Sequence, residues 1–367
     1  MPNELNGELN EELNEINAPS ERPSLLPGFK STCMRIGAMM IVVFAVRCLS
    51  RILLTLLYPL YSGWSEFSQT ILSVLASAVF LNIIPITAGL FILKFDIRTR
   101  KREIYAKPRY FGRSFGIFPA GYGLAIACSF ITTLIGMLVP KGTSVSDSFT
   151  TAQNALSAND PASAALLVFH AVVFAPIFEE FWFRGMVLHT LKPYGNGFAI
   201  FVSGLLFGLT HANLGQFLYT TAIGVVLGYV AVQTGSIITT MIMHAMFNSI
   251  GSITSLLMMS DEVKEYIRIL DLGETPSETP ASVTVFLVWT TAVMLFAVVG
   301  FIMAIVKLVH FKRYRVPKMQ TELSTGKRWG VFLSRPTVLI MLLMAFDTMT
   351  FLYVTTKLLE LIDLLFY

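Results

Sequence analysis

Long apolar segments separated by polar loops extend through most of this chain. They lie at 36–62, 68–95, 114–139, 163–189, 198–212, 216–232, 235–258, 282–308 and 336–356. A helix needs about 20 apolar residues to cross the hydrocarbon core of a bilayer, and these segments lack the alternation of barrel strands. The pattern predicts an all-α, polytopic membrane helix bundle of about eight or nine transmembrane helices.

The composition agrees with a membrane location. Hydrophobic residues make up 54% of the chain and charged residues only 14%, which is far too apolar for a soluble protein of this length. The net charge of +4 comes mainly from two basic loops, where membrane topology and anionic lipid head groups explain it. We therefore expect the lipid bilayer as a partner and no nucleic acid.

Basic residues predict the orientation, because Lys and Arg are retained in cytoplasmic loops. Segment 94–113 and the loop at 312–328 are rich in Lys and Arg, whereas the loops at 140–162 and 259–281 carry mainly acidic charges. Counting helices between these loops gives one consistent orientation. The sequence predicts an integral protein of the plasma (cell) membrane with a cytoplasmic N-terminus.

Three polar clusters interrupt the apolar segments. A charged side chain near the centre of a membrane helix costs roughly 2.5 kcal/mol or more, so such groups normally serve a function. Two carboxylates, an arginine, two histidines and a carboxamide are also the components of a proton-transfer site. The candidate site residues are Glu179, Glu180, Arg184, His211, His244 and Asn248.

The first cluster has a partly structural explanation. Glu180 and Arg184 are four residues apart and share a helix face, so they are expected to form an ion pair that makes a buried arginine tolerable. Glu179 lies about 100° around the helix and has no partner in the local sequence. Pro176 is expected to kink the helix and to free a carbonyl beside the site.

The histidines are ambiguous when each is taken alone, because a single histidine on a membrane helix is often a hydrogen-bonded packing residue. Asn248 lies one turn beyond His244, so the two side chains are expected to form a polar ledge that donates hydrogen bonds. His170, His189 and His310 lack comparable partners and are expected to be structural or interfacial.

The order and spacing of these residues resemble the type II CAAX prenyl endopeptidases and their bacterial relatives, the CPBP family of intramembrane proteases. The resemblance covers roughly 160–255, and no motif position departs from the pattern. The matching motifs are Glu179-Glu-Phe-Trp-Phe-Arg-Gly185, Phe207-Gly-Leu-Thr-His211, Thr234-Gly-Ser236 and His244-Ala-Met-Phe-Asn248.

The resemblance implies a role for each site residue. Glu179 would be the general base that takes a proton from water, and His211 would hold that water. His244 and Asn248 would stabilise the oxyanion of the tetrahedral intermediate, and Glu180 with Arg184 would orient and charge-balance the first group. The implied function is hydrolysis of a peptide bond in a membrane-associated peptide or protein, without a cofactor.

Other functions stay open at this point. Glu179, His211 and His244 also form a set of the kind that binds catalytic zinc, although the HExxH spacing is absent. Intramembrane Glu, His and Arg also occur in proton-coupled transporters, and a non-catalytic immunity protein could hold a peptide in the same cavity. By analogy, peptide maturation, export or self-immunity, including bacteriocin processing, is favoured over CAAX processing.

The expected organisation has four parts. Residues 1–30, with an acidic Glu-Leu-Asn repeat, are expected to form a flexible cytoplasmic tail, with a weak amphipathic helix as the alternative. N-terminal transmembrane helices at 31–139 precede a CPBP-like catalytic membrane core at 140–260. C-terminal transmembrane helices follow at 261–367.

Three further features bear on the bundle. The segment 198–212 is short, about 22 Å at 1.5 Å per residue. It either spans the membrane, which would place His211 near the outer surface, or is a partial helix that turns back inside the protein and places His211 near Glu179; we favour the partial helix. Arg47 and Arg51 in the first helix are expected to snorkel or to pair within the bundle. The three cysteines, Cys33, Cys48 and Cys128, suit neither a disulfide framework nor a metal site and are assigned to packing.

Overall fold

The computed structural model describes residues 25–140, 158–310, 316 and 323–350. Within these ranges the chain is helical and contains no strand. The predicted tail at 1–24 lies outside the described residues, whereas 25–30 already form the first turns of a helix in which Phe29 is fully buried. The three cysteines are free, as expected.

The helices are numbered here in chain order. They are α1 (Leu25–Tyr61), α2 (Glu66–Ile92), α3 (Ile97–Ile104), α4 (Phe111–Phe115), α5 (Phe118–Leu138), α6 (Pro161–Tyr194), α7 (Asn196–Thr210), α8 (Leu214–Thr234), α9 (Ile237–Leu257), α10 (Asp261–Asp271), α11 (Ala281–Val309), α12 (Thr325–Leu333) and α13 (Pro336–Thr350).

The predicted polytopic helical bundle is confirmed. In the described ranges, seven helices are long and apolar enough to cross a membrane: α1, α2, α5, α6, α8, α9 and α11. The pair α12 and α13, bent by 71°, makes an eighth span if it is counted as one. The remaining predicted segment is α7, which is helical but has only 15 residues, about 22 Å at 1.5 Å per residue.

Tight turns connect the four helices from α6 to α9. Gly195, with φ of 132°, separates α6 from α7, and Gly235, with a left-handed φ of 68°, ends α8. Between α7 and α8 the turn uses Ala212, a non-glycine residue with φ of 50°, followed by Asn213, whose side chain accepts a hydrogen bond from the first turn of α8. These helices are therefore consecutive antiparallel neighbours.

Glycines permit a very close crossing of α7 and α8. A Cβ atom added to Gly224 would lie 2.8 Å from the Cα of Gly204, and one added to Gly204 would lie 2.6 Å from the backbone nitrogen of Val225. Only residues without a side chain fit at such a distance. The crossing brings the backbone of α8 up to the polar interior of the bundle.

Candidate active site

Helix α6 is distorted on both sides of the glutamate pair. His170–Phe174 and Phe181–Leu188 are wound as π-helix, and the N–H of Ala175 donates to the carbonyl five residues earlier. Such π segments are frequent at functional sites. In this winding the next donor would be residue 176, but Pro176 has no N–H to offer to the carbonyl of Ala171.

The freed carbonyl has a side-chain partner. Asn248 Nδ2 donates a hydrogen bond of 2.7 Å to the oxygen of Ala171. This contact joins α9 to α6 at the level of the distortion; the sequence predicted the freed carbonyl but not its partner. It uses one of the two amide hydrogens of Asn248, so the second remains available to the site.

Glu180 and Arg184 form the predicted ion pair at the centre of the bundle. Both side chains are fully buried, and Arg184 Nη1 lies 2.7 Å from Glu180 Oε1. Arg184 Nη2 also donates to the carbonyl of Gly224 at 3.0 Å, and its guanidinium carbon lies 4.6 Å from the ring centroid of Phe207. The arginine thus links α6, α7 and α8.

His244 lies between the two glutamates. Its Nδ1 is 2.9 Å from Glu180 Oε1, and its Nε2 is 3.8 Å from Glu179 Oε2. A carboxylate only accepts hydrogen bonds, so Nδ1 donates to Glu180. The Glu179 side chain is 26% exposed, whereas that of Glu180 is fully buried. Glu179 is therefore the accessible carboxylate of the pair.

The turn at Gly195 brings His211 level with the glutamates. Glu180 lies 15 residues before this turn and His211 lies 16 residues after it, which corresponds to about 22 and 24 Å along the two antiparallel helices. His211 Nδ1 donates to the carbonyl of Phe207 at 2.9 Å. The Nε2 atom of the neutral ring is then an acceptor.

Phe207 connects the two histidines. Its ring centroid lies 4.9 Å from that of His211 and 5.5 Å from that of His244, in edge-on arrangements. Phe207 is 2% exposed and also faces Arg184. The sequence motif contains Phe207, but the sequence alone assigned no role to this residue. The feature that points to a role is its position one helical turn before His211.

The remaining histidines are placed away from this cluster. His170 Nε2 lies 3.4 Å from the hydroxyl of Ser77, and His189 Nδ1 donates to the carbonyl of Arg184 at 3.0 Å. His310 Nδ1 donates to the carbonyl of Val306 at 2.9 Å. These contacts fit the structural roles that the sequence predicted for them.

The zinc alternative does not fit the geometry. Among the described residues, no three His, Cys, Asp or Glu side chains are grouped so that they could hold a metal ion. Glu179 and His244 approach each other, but His211 is connected to them through the ring of Phe207.

A large cavity lies elsewhere in the bundle. It has a volume of about 1270 Å³ and opens between α5, α7, α8, α11 and α12. Its walls include Ile200, Phe201 and Tyr229 but none of the six candidate site residues. The polar cluster is therefore a separate feature of the molecule.

The fold and the cluster define a polytopic helical membrane protein that buries glutamate, histidine and arginine side chains together inside its bundle. Residues 161–250 match the family model described as Rce1-like, type II CAAX prenyl endopeptidase. The match spans about a quarter of the chain and contains all six candidate residues. The predicted resemblance is confirmed, and the match supports a membrane protease of the CPBP family. No curated protein and no solved structure matches the chain.

Proposed function

We propose that this protein is an intramembrane endopeptidase that hydrolyses a peptide bond in a membrane-associated peptide or protein by means of glutamate-activated water. The observation that carries the proposal is the unequal environment of the two glutamates. Glu180 is buried and paired with Arg184, whereas Glu179 is partly exposed and has no hydrogen bond among the contacts of the described residues. In this proposal Glu180 holds the site together through its ion pair, whereas Glu179 is the carboxylate that water and substrate can reach.

The reaction starts with Glu179 as general base. Its carboxylate takes a proton from a water molecule held by Nε2 of His211, and the resulting hydroxide attacks the carbonyl carbon of the scissile peptide bond. The C–N bond then breaks, and the proton held by Glu179 passes to the leaving amine. Atoms and charge balance without a covalent enzyme intermediate.

The oxyanion of the tetrahedral intermediate requires hydrogen-bond donors. His244 supplies Nε2–H when its ring is protonated, and its Nδ1 donates to Glu180 at 2.9 Å. Asn248 supplies the amide hydrogen that is not engaged with Ala171. Donors that are fixed in advance in a dry site stabilise developing negative charge strongly.

The experiment is cleavage of a fluorogenic peptide library by detergent-purified protein. Wild type is compared with Glu179→Gln and with the control Glu274→Gln, an exposed position distant in sequence from the motifs, each with and without a strong chelator. The library includes prenylated C-termini and unprenylated peptides, so that it also tests the substrate class.

Each outcome is informative. Activity that is lost in Glu179→Gln, retained in Glu274→Gln and resistant to the chelator supports the metal-free glutamate mechanism. Activity that the chelator removes and zinc restores would contradict that mechanism. A folded wild-type protein that cleaves nothing in the library would favour a proton-coupled transporter or a non-catalytic immunity protein that holds a peptide.

A further inference from the structure

An arginine from outside the matched segment reaches the site. Arg47 lies on α1, more than one hundred residues before the segment 161–250. Its Nη1 donates to the carbonyl of Thr210 at 2.7 Å, and its Nη2 lies 3.2 Å from the carbonyl oxygen of His211. The contact joins α1, the first helix in the described part of the chain, to His211, one of the two site histidines.

The end of α7 needs such a donor. The last four carbonyls of a helix have no partner within the helix, and the C-terminus carries partial negative charge. At the surface water satisfies these groups, but inside a bilayer no water is available unless the protein admits it. A guanidinium group offers several donors and a positive charge, which suits this position.

The turn after α7 is also unfavourable by itself. Ala212 has φ of 50°, a left-handed conformation that costs a residue with a side chain roughly 1 kcal/mol or more. Such a conformation persists when neighbouring contacts determine it. Arg47 binds the two carbonyls directly before Ala212 and is therefore in a position to hold this turn.

We propose that Arg47 is a positioning residue for the hydrolytic site, which fixes the end of α7 and so sets the ring of His211 opposite Glu179. The inference rests on the proposed function for its catalytic consequence, but its structural part stands on the contacts alone. A neutral side chain of similar length would keep the packing of α1 and lose the two hydrogen bonds to the end of α7.

The test compares Arg47→Met, Arg47→Lys and the control Arg35→Met, which removes a half-buried cation three turns earlier on α1. Hydrogen exchange measured by mass spectrometry reports on the backbone around 207–213 without requiring activity. We expect faster exchange there in Arg47→Met, partial protection in Arg47→Lys and no change in Arg35→Met. Unchanged exchange in Arg47→Met overturns the proposal, whether or not the protein cleaves any peptide.

The catalytic consequence is measured on the best library peptide. We expect Arg47→Met to lower kcat by about tenfold or more with little change in KM, because the interaction acts on the water-holding ring rather than on substrate binding. Arg47→Lys should recover part of kcat. A changed KM with unchanged kcat would contradict a positioning role. If wild type is inactive but exchange responds as expected, the proposed hydrolysis fails and the structural assignment of Arg47 stands.

Discussion

His244 faces Glu179 through Nε2 at 3.8 Å while its Nδ1 is already committed to Glu180. A neutral ring in this tautomer would turn a lone pair towards the Glu179 carboxylate. A hydrogen on Nε2, present when both ring nitrogens carry one, would instead point towards that carboxylate. His244 thus links both glutamates, and the buried Glu180 and Arg184 fix the position of its ring.

The two glutamates are expected to respond differently to the same substitution. Glu179→Gln removes a partly exposed carboxylate, so the unfolding temperature should stay within a few degrees of wild type while cleavage is lost. Circular dichroism in detergent together with the fluorogenic assay measures both properties. Strong unfolding of Glu179→Gln would show that this carboxylate is structural.

Glu180→Gln should instead destabilise the fold. It leaves the fully buried Arg184 without its countercharge, which typically costs about 3–5 kcal/mol. The double variant Glu180→Gln/Arg184→Met removes both charges and should recover much of that loss. Denaturant unfolding of both single variants and of the double variant gives a double-mutant cycle. Additive losses of unfolding free energy would contradict a coupled pair.

Pro176 and Asn248 should be coupled through the carbonyl of Ala171. Asn248→Ala leaves this carbonyl without its donor, at a cost of about 1–3 kcal/mol. In a Pro176→Ala background a backbone N–H becomes available to the same region of α6, so Asn248→Ala should cost less stability there. Equal costs in the two backgrounds would rule out the shared carbonyl.

The close crossing of α7 and α8 should not tolerate side chains. Gly204→Val places atoms where the backbone of α8 already lies, and overpacking of this kind costs about 1–3 kcal/mol or more. The matched control is Gly251→Ala on α9, where an added Cβ meets nothing within 4 Å and should be neutral or slightly stabilising. Thermal unfolding of both variants measures the contrast.

The predicted topology can be tested by labelling. Single cysteines introduced at Lys101 on α3 and at Glu274 after α10 lie in loops predicted on opposite sides of the membrane. An impermeant thiol reagent added to intact cells should modify the position at 274 and spare the position at 101. The reverse pattern would invert the proposed orientation and place the N-terminus outside.

The long apolar helices and the ion pair could be predicted because they depend on local patterns. Segment lengths predict spans, and the spacing of Glu180 and Arg184 places them on one face of α6. The resemblance then selected the two histidines. The short α7 could also be predicted, because 198–212 is shorter than the about 20 residues that a membrane span needs and polar residues follow it directly.

The contacts that support the site could not be predicted in the same way. The partnership of Arg47 with Thr210 spans 163 residues of sequence, and no local pattern indicates which helices become neighbours. The π-wound turns of α6 depend on how the helix accommodates Pro176 within the bundle. The ring of Phe207 gains its role only when Arg184, His211 and His244 surround it.

The contact of Gly204 with Gly224 closes the space between α7 and α8 at their crossing. Two backbones that touch leave no layer of side chains between them that could rearrange to separate α7 from α8 at this point. The carbonyl of Gly224 also accepts a hydrogen bond from Arg184 on α6. In the proposed hydrolysis, a peptide therefore does not pass between α7 and α8 at this crossing.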